Sequence, residues 1–79
     1  MRKPSPEQAL RAVVAENVRV ERQRRGWSQE QLAEKAGLHR NYIGAIERAE
    51  VNFGIENVAK LAVALVIPPH ALLQQLKRE

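Results

Sequence analysis

Few side chains in this 79-residue chain are equipped for covalent chemistry. It contains no cysteine, aspartate or threonine, and its hydroxyls are those of Ser5, Ser28 and Tyr42. Ser28 precedes Gln31 by three residues, the spacing of a capping box, which commits its oxygen to helix backbone. His39 and His70 share no metal-ligand spacing, and neither an H-E-x-x-H pattern nor a glycine-rich phosphate loop occurs. The residues therefore predict no catalytic group, no metal and no cofactor. Charge is the remaining resource. Residues 1–25 hold seven basic side chains against three glutamates, whereas the rest of the chain balances six against six. The whole net charge of +4 thus sits in the first segment, a distribution suited to an anionic partner.

The elements that must position these charges read as five helices. Residues 1–5 form a polar, proline-bearing tail. Ser5 as cap, Pro6 in the first turn and Glu7 at the positive end of the dipole open a helix. Leu10, Val13, Val14, Asn17 and Val18 carry it on with helical spacing, and Gly26 ends it beyond Arg25. Trp27, before the Ser28 cap, is placed to staple onto the core rather than to stack on a base. A second helix bears Leu32, Ala33 and Ala36. Gly37 turns the chain, and a third carries Ile43 and Ile46 inward while Arg40, Asn41 and Gly44 fall elsewhere. A fourth, from Ile55, is apolar over more than one side and is predicted to be central to the core. Pro68 stops it, and Pro69 begins a fifth from His70 to about Lys77. Two short helices joined by a glycine-bearing turn, after an arginine-rich helix, form the pattern of a DNA-reading helix-turn-helix.

Residues 17–65 closely resemble the Xre-type helix-turn-helix family of phage repressors, Cro proteins and small bacterial regulators. The matching residues include Arg22, Gly26, Ser28, Gln29, Leu32, Ala33, Gly37, Tyr42, Ile43, Ile46, Glu47, Arg48 and Asn52. The R-x-Y-I-x-x-I-E-R arrangement beginning at Arg40 is also that of the controller proteins of restriction–modification systems. The resemblance implies a compact, all-α, five-helix lambda-repressor-like domain with the helix-turn-helix at helices 2 and 3. The implied organisation is a tail over 1–5, a four-helix core over 6–67 and a C-terminal helix over 68–79.

By the same resemblance, the helix from about Arg40 to Arg48 lies in the major groove of double-stranded DNA. Arg40 is placed to grip a guanine edge, and Asn41 to read an adenine edge or a backbone oxygen. Gly44 and Ala45 occupy positions where relatives carry longer polar side chains, so they offer close approach or a thymine-methyl contact. Part of the specificity is then expected from DNA shape. Gln29 and Asn52 match backbone-contacting positions, and Arg48, Arg19 and Arg22 are further phosphate candidates. Val51 stands where the family often has a basic residue. The Tyr42 hydroxyl either reaches a phosphate or packs against helix 2. Arg22 and Glu47 are implied as a partly buried ion pair that sets the angle of the recognition helix.

Leu72, Leu73 and Leu76 pack either against the chain's own core or against a second copy, the region through which relatives of this length commonly dimerise. A homodimer suits a two-fold symmetric operator, with recognition helices about 34 Å apart. The expected role is a transcriptional regulator that occludes a promoter or contacts RNA polymerase. The alternatives are an antitoxin that also binds a toxin, or an interaction module without DNA affinity. The absence of cysteine, of an apolar signal region and of any apolar run approaching about 20 residues predicts a cytoplasmic protein.

Overall fold

In the computed structural model, which describes residues 3–75, Ser5 opens α1 (Pro6–Arg24) with a reciprocal cap. Its hydroxyl accepts from the Gln8 amide at 3.1 Å, while Gln8 Oε1 accepts from the Ser5 amide at 2.9 Å. Ser28 and Gln31 repeat the arrangement at the start of α2 (Gln29–Ala36), with distances of 3.0 and 2.7 Å. Each box satisfies two amides that a helix start would otherwise leave without partners. Gly37 then adopts φ +68°, a left-handed conformation that costs glycine nothing and lets the chain turn at once into α3 (Arg40–Glu47). His39 caps α3, its Nδ1 accepting from the Asn41 amide at 3.1 Å.

The helices α4 (Ile55–Leu65) and α5 (His70–Leu73) complete the described fold. Val14 and Val18 of α1, Leu32 of α2, Ile43 and Ile46 of α3, Leu61 and Leu65 of α4 and Leu72 of α5 are fully buried together. Trp27, Tyr42 and Phe53 pack on this cluster from its rim. Two cations lie over the Trp27 ring, Arg25 at 5.8 Å and Lys35 at 4.8 Å from the centroid.

Two elements depart from their predicted form. The fifth helix ends at Leu73 rather than near Lys77, because Asn17 intercepts its backbone. This buried amide donates to the carbonyls of Ala71, Leu72 and Gln74 at 3.3, 2.9 and 2.9 Å. At Gln74 the chain is already extended. Leu76 and Lys77 lie outside the described residues. In α4, only Leu61, Ala62 and Leu65 turn fully inward, while Ile55 and Val63 remain 89% and 78% exposed. Its second apolar side therefore faces away from the core. The helix closes on Val66 in the left-handed region, φ +57°, where a β-branched residue is strained. The Arg25 guanidinium donates to the Leu65 carbonyl at 2.5 Å and holds that end in place.

Candidate nucleic-acid interface

The orientation of α3 depends on a polar knot beneath it. Arg22 grips Glu47 in bidentate fashion, with Nε to Oε2 at 2.7 Å and Nη2 to Oε1 at 3.0 Å. Its remaining arm, Nη1, donates to the Trp27 carbonyl at 2.7 Å. Gln29 Nε2 donates to Glu47 Oε1 at 3.1 Å. One carboxylate thus ties α1, the α1–α2 turn, the start of α2 and the end of α3. The side chains are only 13% (Arg22) and 5% (Glu47) exposed. Hydrogen bonding to Glu47 raises the Arg22 pKa above the ordinary guanidinium value, burial opposes this, and the charge of Glu47 adds to the rise. Arg22 stays charged throughout the pH range in which proteins fold. All three arms of Arg22 are engaged in this knot.

Above the knot, the α2 start and the outer side of α3 form one surface. Arg40 and Asn41 are exposed on it and Ala45 is half-buried. Arg40 Nη1 lies 3.5 Å from Glu30 of α2. Gly44, expected to face outward freely, is instead buried beneath the side chain of Arg48. A Cβ at position 44 would stand 3.0 Å from Arg48 Nη1 and 3.5 Å from Gln29 Oε1. Arg48 Nε in turn meets Glu50 Oε1 at 2.9 Å. Gln29, Arg40 and Arg48 therefore share one face, bordered by two carboxylates.

Other candidates are placed elsewhere. The Tyr42 hydroxyl accepts from Asn57 Nδ2 at 2.8 Å, so it bridges to α4 while the ring packs on the core. Asn52 is exposed and its Oδ1 accepts from Arg11 Nη1 at 2.5 Å, an attachment to α1. Arg19 pairs with Glu16 on its own helix. Of the leucines assigned to dimerisation, Leu72 is consumed by the chain's own core, which corrects its placement in a seam; Leu73 remains 43% exposed. Sequence reasoning missed Glu30, Glu50 and the capping amide of Asn17. The Glu30–Arg40 and Asn17–α5 contacts join separate helices, so no local pattern signals them. Glu50 lies two residues from Arg48, but it is brought beside the guanidinium by the backbone turn at Ala49, φ +59°.

Among the described residues, no cluster of His, Cys, Asp or Glu is arranged to hold a metal ion. No described helix is long and apolar enough to cross a membrane. A helix-turn-helix at α2–α3, packed on α1 and α4 with an arginine-bearing outer face, defines a DNA-binding class. The helix-turn-helix family model HTH_3 matches residues 18–72, and the chain belongs to that family. Within it, the chain is similar to control proteins of restriction–modification systems. It is 46% identical over 72 residues to the control protein C.SmaI of Serratia marcescens, covering 89% of this chain and 86% of that protein. The crystal structure of the restriction-modification controller protein C.AhdI from Aeromonas hydrophila superposes with a TM-score of 0.78 at 41% identity, covering 81% of this chain and 97% of that one. A hypothetical transcription factor of Neisseria meningitidis serogroup B is 48% identical over 67 residues, 85% of this chain; the match spans 63% of that relative's length.

Proposed function

We propose that the protein is a sequence-specific transcriptional regulator, without catalytic activity, that binds a two-fold symmetric DNA site as a homodimer. Its place among relatives that control restriction–modification systems makes that its proposed role. The observation that carries this reading is the shared face of Gln29, Arg40 and Arg48 on a recognition helix braced from below by Arg22 and Glu47. Arg40 and Asn41 enter the major groove. Gln29 and Arg48 meet phosphates beside it, and Asn52 and Arg19 extend the backbone contacts. Working in the cytoplasm, such a protein resides on the nucleoid when bound.

Selection of bound duplexes from a random pool tests the reading. Enrichment of a palindrome with half-sites about one helical turn apart is expected. A pool that fails to enrich would refute it. On the selected duplex, Arg40→Ala is expected to lose about 1–3 kcal/mol and to relax one base position per half-site.

The homodimer is assigned to the outward apolar side of α4 and to Leu73 of α5. Leu10, Phe53, Ile55, Ala59, Pro69 and Leu73 are among the residues lining an apolar groove of about 450 Å³ there. A second copy is the occupant, since the same groove on both protomers makes an isologous contact that closes on itself. Ile55→Glu is expected to turn a dimer into a monomer in light scattering at micromolar concentration. Its affinity for a half-site should survive while full-site cooperativity is lost. A wild-type protein that is monomeric both free and on DNA would overturn the assignment.

A further inference from the structure

Tyr42 stands in the first turn of α3, directly after Arg40 and Asn41, with its ring half-buried against the core. That packing fixes where the phenol oxygen lies, at the junction between α3 and the first turn of α4. There it meets Asn57, which is also half-buried. The hydrogen bond between them runs one way: Asn57 Nδ2 donates and the phenol oxygen accepts, at 2.8 Å. A phenol oxygen carries one proton beside its lone pairs, so the incoming N–H leaves that proton on the side away from Asn57. Among the described residues no acceptor takes it. Had Asn57 presented its Oδ1 instead, the same contact would join the two helices and consume the proton.

We propose that Asn57 is a positioning residue for DNA binding: its amide makes the Tyr42 hydroxyl an outward donor, and the acceptor is a phosphate oxygen beside the recognition helix. The inference rests on the DNA-binding reading given above. When Arg40 and Asn41 enter the groove, Tyr42 lies in the same helical turn on the flank toward α4, where the sugar–phosphate strand passes. An O–H donated to an anionic oxygen is a short and strong hydrogen bond. It brings no positive charge, so it adds directional hold on the strand without adding to the salt dependence of binding. With the ring packed on the core and the oxygen tied to α4, this contact fixes the register of α3 on the backbone.

The test measures affinity for the duplex enriched from the random pool. Tyr42→Phe keeps the ring and removes the donor, and is expected to weaken binding about tenfold, the size of one hydrogen bond to a charged group. Its slope against log salt should stay as in wild type. Asn57→Asp reverses the bond, because a carboxylate can only accept and so draws the phenol proton inward. Position 57 lies in the first turn of α4, where a negative charge complements the helix dipole, so the melting temperature should hold or rise. DNA affinity should nevertheless fall by about tenfold or more. In a Tyr42→Phe background, Asn57→Asp adds only the repulsion of its charge, so the combined loss should fall short of the product of the two by about tenfold. Tyr42→Phe that binds like wild type, or two losses that multiply, would overturn the proposal. A wild-type protein that enriches no duplex would overturn the regulator reading, and this proposal with it, before any variant is made.

Discussion

Arg22→Ala is expected to destabilise the protein by about 3–5 kcal/mol and to abolish measurable DNA binding at ordinary temperature. The loss exceeds that of a surface ion pair because the substitution strands Glu47. Its carboxylate, 5% exposed, would keep only the Gln29 amide, and the Trp27 carbonyl would lose its donor as well. A buried charge without its partner carries a desolvation penalty that the intact pair had offset. Denaturant unfolding measures the effect directly. Against a total of roughly 0.05–0.15 kcal/mol per residue, such a change removes a large part of the stability of a chain this short. Replacing both partners with apolar residues of similar size should restore much of the stability without restoring affinity, since the knot also sets the angle of α3. An Arg22→Ala protein with wild-type melting temperature would show that the pair is incidental to the fold.

The second large effect is expected at Leu72. Leu72→Ala should lower stability by about 2–5 kcal/mol, with the same loss at low and high protein concentration. Leu72 is fully buried with Val14, Val18, Leu61 and Leu65 of its own chain, so truncation leaves a cavity within one protomer. Were it part of a seam between copies, its effect would instead grow with the dimer population. The substitution should also loosen α5, whose four residues hold place through Leu72 and through the Asn17 amide. A concentration-dependent loss would return Leu72 to the dimer interface.

What these two sites share is that sequence made one partner visible and concealed the other. Arg22 and Glu47 could be paired only through the family resemblance, and neither the Trp27 carbonyl nor Gln29 belonged to that pairing. Leu72 read equally well as core or as interface, because an apolar residue on a short helix states that it will be buried without stating by what. Asn17 was counted only as one member of the helical spacing of α1, with no partner assigned to it. Its role became clear only where its amide met the end of α5, up to 57 residues further along the chain. The apolar second side of α4 suggested deep burial, yet a domain this small has too little interior to cover both sides. That side was left outward.

By itself the sequence determined where the helices begin, their capped starts at Ser5 and Ser28, the turn at Gly37 and the family. Each of these rests on interactions within a few residues, where side-chain type and spacing act directly on the backbone. Beyond the Arg22–Glu47 pair that the resemblance implied, only the tertiary structure decided how the arginines are used. Arg22 is spent inside the knot, Arg25 holds the end of α4 and Arg11 holds Asn52, while Arg40 and Arg48 remain on the outer face beside Glu30 and Glu50. All carry the same charge and reach, so nothing in their identity separates a brace from a reader. The distinction arises when helices distant in sequence pack together and bring a carboxylate, a carbonyl or open solvent opposite each guanidinium.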